Sequence, residues 1–510
     1  MRIAATLTAL VALAVAAPAV GAPAGSARPA VPIPDDPRGA LLQPFQGAAS
    51  TEPAQHRPAV PQHPFMAAGS DSIIHNDAYQ TDTYDRAGPT GPDLVVSSTS
   101  SLVRDCSSLS FLPDGTALTV CIGVGDPQVR ALDPDTLAEI ATYRLPRRDR
   151  GLLPDTSNFS GGYFYLDDRG RLVVSTAENH VLWLRLVGDR FVVDREVDLS
   201  GTIGTQRIQS VLPDWSDRIW FVTQEGTVGY VGLRGEIRTR RLLGEVIANS
   251  FAIDESGGVF VVSDRALYRF DVVGDQPRAT WRKTYDRGTR VKPSQVSQGS
   301  GTTPTLIGRA SLPSGGWIAI TDNADPQMNV LVFKRGKAGP GADPVCEQPV
   351  FPAGEGADEN SLISVPGGLI AENNYGYELE KLALRQPTTT PGIVKVAVDY
   401  NGGGCHVAWS NTTARVPSSV SKASMGSGLV YAYTHPAAGE LAYRLPLPLS
   451  ALAPDAWYLT AFSLRSGRQV WSRYVGSGLL YDNHYAAVSL GPDGAAYVGT
   501  VGGVVRVADR

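Results

Sequence analysis

Short runs of β-branched and aliphatic residues, separated by Asp, Gly and Pro, dominate the chain from Leu94 onward. No stretch among them repeats with the period of 3.6 residues that marks an amphipathic helix. Apolar runs of this length, bounded by turn residues, are typical of buried strands. The pattern therefore predicts an all-β domain.

The strands recur as a unit: an opening strand, a turn, a second apolar strand ending in a polar cluster, and a third strand. The pattern is clear in five units and looser in three. The second strands are anchored at Val120, Val174, Val222, Val262, Ile320, Ile370, Tyr431 and Val498, which are 40 to 67 residues apart. This spacing predicts a single β-propeller of about eight blades, with a seven-bladed ring containing one irregular unit as the alternative.

The chain stops after the third strand of its last unit, while an unassigned strand at 93–98 precedes the first unit. We expect that N-terminal strand to complete the last blade, because closing the ring hides the edges that an open sheet exposes. The propeller domain then spans 93–510. Residues 28–92, rich in Pro and Ala, are predicted to form a linker or a strap over it.

The N-terminus reads as a secretory signal peptide over residues 1–27. Arg2 is followed by a small and apolar run from Ile3 to Val20, and cleavage would follow Ala22 or Ala27. A retained anchor is the alternative, although the run is near the lower limit of about 18 residues for a spanning helix. We expect a secreted, soluble monomer with no later membrane span.

The four cysteines fit an exported protein, in which disulfides persist. Cys106 and Cys121 flank a hairpin-like stretch, and Cys346 and Cys405 would then pair across one blade. Four cysteines allow three connectivities. The competing interpretation, a metal site, has no Cys-x-x-Cys spacing.

The amino-acid composition excludes one class of function, nucleic-acid binding. The chain has 510 residues, is 43% hydrophobic and 19% charged, and has a net charge of −5 with scattered Lys and Arg. A nucleic-acid partner would need a basic patch, so none is expected.

Residues 458–471 resemble the blade signature of quinoproteins, in which a tryptophan docks between blades. Ala461, Gly467 and Trp471 match that signature, whereas Ser463 and Ser466 replace its Asp and Thr. The resemblance implies quinoprotein-like architecture. It leaves open whether pyrroloquinoline quinone is bound.

Residues 248–264 are similar to a blade of the gluconolactonase and strictosidine synthase-like propellers. In those families the Asn that opens the innermost strand points into the central channel and commonly ligates calcium, and Asn249 occupies that position here. The similarity covers one blade in eight.

Polar residues stand at the openings of several inner strands, which converge on the channel mouth of a propeller. Asn249, Glu359, Asn360 and Asp482 offer the oxygen ligands that calcium prefers. His484 or Glu359 would move a proton there. The alternative is that Asn and Asp at strand starts cap turns with their side chains.

A second polar group follows the second strand of the sixth unit: Glu372, Asn373, Asn374, Tyr375 and Tyr377. Two aromatics beside an acid and two amides suit a sugar ring or another planar ligand. A surface loop is the alternative.

Three functions remain open at this point. The first is an exported hydrolase or lyase acting on a sugar or lactone at a site where calcium polarises an oxygen. The second is a quinoprotein-type dehydrogenase, less favoured because it would need a cofactor-sized cavity and a cationic partner for the quinone, which the sequence alone does not establish. The third is a propeller that binds a glycan or protein without turnover.

Overall fold

A computed structural model describes residues 27–35, 44–57, 59–102, 104–123, 126–147, 161–378, 389–435 and 456–510. All but the last residue of the predicted signal peptide lie outside these ranges. The described residues form eight sheets arranged as an eight-bladed β-propeller, antiparallel except that Thr83–Tyr84 pairs in parallel with Lys422–Ser424. The helical segments among them are short: Ser200–Ile203 and Leu479–Tyr481. The predicted all-β fold with eight blades is confirmed.

The first four blades follow one another along the chain, each running from the inner to the outer strand. Blade 1 consists of Arg104–Cys106, Ser110–Phe111, Ala117–Gly123, Gln128–Leu132 and Glu139–Arg144. Blade 2 consists of Tyr165–Leu166, Leu172–Ser175, His180–Val187 and Arg190–Asp198. Blade 3 consists of Ile208–Pro213, Ile219–Thr223, Thr227–Val231 and Ile237–Arg241. Blade 4 consists of Ala252–Ile253, Val259–Val262, Ala266–Val273 and Gln276–Thr284.

The last four blades continue the ring. Blade 5 consists of Thr305–Ile307, Trp317–Thr321, Asn329–Lys334 and Cys346–Pro349. Blade 6 consists of Ile363–Val365, Gly368–Glu372, Ile393–Val398 and Cys405–Asn411. Blade 7 consists of Lys422–Ser424, Leu429–Thr434, Ala456–Ser463 and Gln469–Ser477, with Thr83–Tyr84 and Phe45–Gly47 added at its inner and outer edges. Blade 8 consists of Val488–Leu490, Ala496–Thr500, Gly503–Asp509 and Leu94–Ser100.

The ring closes in blade 8, where the two ends of the domain meet. Leu94–Ser100 pairs with Gly503–Asp509 in an antiparallel register from Leu94 opposite Asp509 to Ser100 opposite Gly503. The strand before the first unit therefore supplies the outer strand of the last blade, as predicted. This pairing covers the edge of Gly503–Asp509 and joins the two ends of the domain within one sheet.

The apolar core lies between neighbouring blades, so the middle strands are covered on both faces. Ile219–Thr223 is buried along its whole length, whereas the outer strand Ile237–Arg241 of the same blade is partly exposed. This two-sided burial explains why the sequence shows continuous apolar runs instead of alternation. Trp471, matched to the quinoprotein signature, is fully buried with its ring 6.0 Å from that of Tyr431.

Part of the N-terminal strap lies inside the central channel. Residues 72–84, here called the channel segment, accept backbone hydrogen bonds from the inner strands of five blades, each at or near the strand's end. The bonds run from the amides of Leu166, Ile253, Leu306, Ser364 and Ala423 to the carbonyls of Ser72, Ala78, Tyr79, Thr81 and Asp82. The segment therefore runs along the inner strands and reaches the openings of blades 6 and 7, where His75 meets Ser361 and Asp82 meets Lys422.

The cysteines pair as Cys106–Cys121 within blade 1 and Cys346–Cys405 between the outer strands of blades 5 and 6. Both pairs are those that the sequence favours. The second pair does not cross one blade as predicted, because Cys346 and Cys405 lie on the outer strands of two neighbouring sheets. In the part of the chain that the structure describes, no helix is both long and apolar enough to cross a membrane.

Candidate functional site

The openings of the inner strands are joined to one another around the channel mouth. The side-chain amide of Asn249 donates to the carbonyl of Ser300, 3.2 Å away, which links blades 4 and 5. Asn360 donates to the carbonyl of Ser419, linking blades 6 and 7. Ser418 Oγ and Asn483 Oδ1, 3.1 Å apart, link blades 7 and 8. Polar residues here form a rim in which blade 4 is linked to blade 5, and blades 6, 7 and 8 are linked in series.

His484 lies at the opening of blade 8 and is paired with Asp105 of blade 1. Its Nδ1 is 2.5 Å from Asp105 Oδ2, and the two side chains are 20% and 30% exposed. Asp482 Oδ1 accepts the backbone N–H of His484 at 2.8 Å. His484 and Tyr485 have φ values of 37° and 68°, in the left-handed region that costs non-glycine residues about 1–3 kcal/mol each. Strain of this kind concentrates at functional sites.

Two tyrosines surround this histidine. The hydroxyl of Tyr377, from blade 6, lies 3.2 Å from both carboxylate oxygens of Asp482. The rings of Tyr377 and Tyr485 meet edge to face with centroids 5.3 Å apart. Burial, together with the charge of Asp482, raises the pKa of Tyr377 well above its usual range. Tyr377 therefore stays a neutral hydrogen-bond donor that fixes Asp482.

A loop of residues 285–304, here called the crossing loop, joins blades 4 and 5 and reaches over the mouth. The hydroxyl of Tyr485 donates to the carbonyl of Ser294 at 2.7 Å. The amide of Val296 donates to Glu359 Oε2 at 3.1 Å. The crossing loop therefore contacts Tyr485, which lies beside His484, and also Glu359, the second predicted catalytic residue.

Glu359 lies at the opening of blade 6 with a carboxyl group cut off from water. Burial raises its pKa to about 8, so the group is mostly protonated at neutral pH. Its Oε1 is buried and has no hydrogen-bond partner among the described residues. Glu359 also raises the pKa of the Tyr485 phenol, after the effect of burial. A neutral carboxylic acid thus lies on the same rim as the His484 imidazole.

The segment from Glu372 to Tyr377 mostly holds neighbouring loops. Asn374 Oδ1 accepts the amide of Glu359 at 2.8 Å, and its amide group donates to the carbonyl of Val416. Asn373 Oδ1 likewise accepts the backbone N–H of Ala357, and its amide group donates to the carbonyl of Glu355. Tyr375 is half-buried. These amides position Glu359, and a direct contact of the segment with a ligand stays a prediction.

The four residues predicted to bind calcium are only partly together. Glu359 and Asn360 are adjacent, but Asn249 donates to Ser300, and Asp482 belongs to the His484 group. Across the described ranges, no group of three or more His, Cys, Asp or Glu side chains has a geometry that could hold a metal ion. Calcium therefore stays a prediction.

The sequence analysis missed Asp105, the partner of His484. Asp105 lies next to Cys106 on the first strand of blade 1, 379 residues from His484 in the chain. No local motif joins residues so far apart. The sequence signal for it is its position at the start of blade 1, next to the seam where the ring closes.

The comparisons with known proteins support the fold. No protein-family model matches the chain. An uncharacterized protein of Archaeoglobus fulgidus is 27% identical over 333 residues, which make up 60% of this chain and 61% of that protein. The chain thus spans about three-fifths of the length of this curated relative.

Several solved structures are similar in fold at very low identity. Sqt1 of Saccharomyces cerevisiae has a TM-score of 0.50 at 10% identity, covering 83% of this chain and 99% of that one. The dihydro-heme d1 dehydrogenase NirN has a TM-score of 0.45 at 11% identity, covering 84% of this chain and 78% of that one. A streptogramin B lyase has a TM-score of 0.38 at 9% identity, covering 82% and 98%. At 10% identity, the similarity to Sqt1 shows the fold alone.

Proposed function

We propose that the chain is an exported enzyme whose channel mouth binds a small oxygenated ligand, a sugar or a lactone, and that His484 moves a proton on it. The observation that carries the proposal is the 2.5 Å contact between His484 Nδ1 and Asp105 Oδ2, held on two consecutive strained residues. A histidine oriented by a carboxylate is the usual form of a general base.

The proposed acid–base chemistry follows from the protonation of His484 and Glu359. Asp105, as an acceptor, keeps the proton of His484 on Nδ1, so Nε2 carries the basic lone pair. Glu359, with a pKa raised by burial to about 8, offers a proton at neutral pH. Groups with opposite tendencies on one rim suit the base and acid roles in a hydrolysis or an elimination.

The walls of the mouth favour a small polar ring as the ligand. Tyr485 is half-buried beside His484, with ring centroids 5.7 Å apart, and offers an aromatic face to such a ring. The rim amides and hydroxyls suit its oxygens. A sugar or lactone combines both requirements.

Calcium fits the rim chemically only in part. Glu359 Oε1, Asn360 Oδ1 and Glu372 Oε1 are buried oxygen acceptors without a hydrogen-bond partner in the described ranges. Oxygens of this type are what calcium takes. If bound there, calcium would polarise a ligand oxygen. Asn249 and Asp482 are engaged elsewhere, so the proposed acid–base step does not depend on the metal.

The test is turnover of glucono-1,5-lactone and related sugar lactones, followed by NMR, by the purified protein and its variants. His484→Gln is expected to lower the rate by about two orders of magnitude or more, and Asp105→Asn to lower it by a smaller factor. His406→Gln is the matched control, since His406 is exposed on the outer strand of blade 6.

Full activity in His484→Gln would contradict the proposal. Binding of these compounds without turnover would favour the glycan-binding alternative. Elemental analysis of the same preparation, with and without a chelator, tests calcium, and its absorbance spectrum tests for a quinone.

A further inference from the structure

A second histidine–aspartate pair lies inside the channel and shares no residue with the site at the mouth. His75 and Asp82 both belong to the channel segment and are 3% and 0% exposed. His75 Nδ1 is 3.1 Å from both carboxylate oxygens of Asp82. His75 Nε2 is 3.2 Å from Oγ of Ser361, at the opening of blade 6.

Ser361, His75, Asp82 and Lys422 form a chain of contacts, and Lys422 determines which nitrogen of His75 carries the proton. Its buried ammonium group donates to Asp82 Oδ1 and to the carbonyl of Ile74, so Asp82 is ionised and can only accept. The proton of neutral His75 must therefore sit on Nδ1. Nε2 is then an acceptor, and the Ser361 hydroxyl must donate to it.

Hydrogen bonds that run in this direction, from Ser361 to His75 to Asp82, activate a serine hydroxyl. A hydroxyl donating to a histidine, whose other nitrogen is held by a carboxylate, is the arrangement in which oxygen becomes nucleophilic as the proton leaves. The pairing of Asp82 with Lys422 weakens its electrostatic help to an imidazolium. The pairing leaves the orientation and tautomer of His75 intact.

Unpaired polar groups in the same part of the channel point to a ligand. The amide nitrogen and oxygen of Gln80 are fully buried and have no partner in the described part of the chain, and the same holds for Asn76 Oδ1. A buried amide without a partner costs about 1–3 kcal/mol, so a bound group is expected beside it. Gln80 lies between Tyr79 and Thr81, which bond to blades 5 and 6. Gln80 thus belongs to the stretch of the channel segment that is bonded to blades 5 and 6.

We propose that Ser361 is a nucleophile that accepts an acyl group from a small ester or lactone. Its Oγ forms a bond to the carbonyl carbon while its proton passes to His75 Nε2. The bond from that carbon to the leaving oxygen breaks, and this oxygen takes the proton from Nε2. Water then attacks the acyl group by the same route, which releases the acid and restores Ser361.

The test is labelling of the full-length protein with phenylmethylsulfonyl fluoride, a probe small enough for a narrow channel. Ser361 Oγ displaces fluoride from sulfur, and the proton leaves through His75 to solvent. Peptide mass spectrometry is expected to find the adduct on Ser361. His75→Gln is expected to slow labelling by about two orders of magnitude. Ser210→Ala is the matched control, because the hydroxyl of buried Ser210 hydrogen-bonds to that of Ser250 at 2.8 Å and, among the described residues, to no histidine.

Absence of an adduct on Ser361 in the folded wild-type protein would overturn the proposal, as would an unchanged rate in a folded His75→Gln variant. If that variant does not fold, Ser361→Ala decides. The folded Ser361→Ala protein should lose the label, and labelling at the wild-type rate would overturn the proposal. His484→Gln should label normally, which separates this site from the one at the mouth.

Discussion

Replacing Asp82 by alanine tests the ion pair that fixes the channel segment. Asp82 and Lys422 are both fully buried, and the carboxylate also holds His75. In Asp82→Ala the Lys422 ammonium keeps only the carbonyl of Ile74. Breaking a buried pair by removing one partner typically costs 3–5 kcal/mol, so we expect the free energy of unfolding to fall by about that amount.

The assay is urea unfolding followed by tryptophan fluorescence. Asp85→Ala is the matched control from the same strap, since Asp85 is 75% exposed and pairs with Arg57 at 3.1 Å. Such an exposed pair contributes at most about 1 kcal/mol. The double variant Asp82→Asn with Lys422→Met should recover most of the loss, because no charge is left unpaired. Equal losses in Asp82→Ala and Asp85→Ala would refute the argument.

Two further predictions concern Glu359. Because burial raises its folded pKa from 4.5 to about 8, the stability it contributes is fully present below pH 4.5 and is lost as the pH rises to 8. Glu359→Gln should therefore make the unfolding free energy decline less steeply between pH 4.5 and 8. Part of the decline should remain, because burial also raises the pKa of Glu372 to about 8. An unchanged slope would contradict the raised pKa of Glu359. Gly301→Ala would press a methyl group onto Glu359 Oε1 and the carbonyl of Asp358. We expect it to lower the thermal midpoint, at a cost of about 1–3 kcal/mol, while Gly201→Ala, in open space, should not.

Most of the fold follows from local sequence patterns. The runs at Ile219–Thr223 and Val259–Val262 are continuous because neighbouring blades cover both faces, and that continuity is visible in the sequence. The closing strand Leu94–Ser100 is predictable because the repeat leaves it without a unit. The channel segment is not predictable in this way. Its contacts join residues as distant as His75 and Ser361, 286 positions apart.

The candidate site also has a part that local sequence predicts and a part that only the structure reveals. His484 and Glu359 are identifiable as candidates from residue type and strand position, and their catalytic roles stay predictions. Asp105 is found only in three dimensions, since ring closure brings blade 1 beside blade 8. Composition assigned Asn374 to a ligand, whereas the structure shows its side chain bonded to backbone groups of two other loops.

The measurement that tests the central claim most directly is the protonation state of His484 by ¹⁵N NMR on histidine-labelled protein, with His484→Gln assigning the signal. The account predicts that the neutral ring carries its proton on Nδ1, facing Asp105, and that Asp105→Asn weakens this preference. A neutral ring protonated on Nε2, or a tautomer preference unchanged by Asp105→Asn, would contradict the acid–base site.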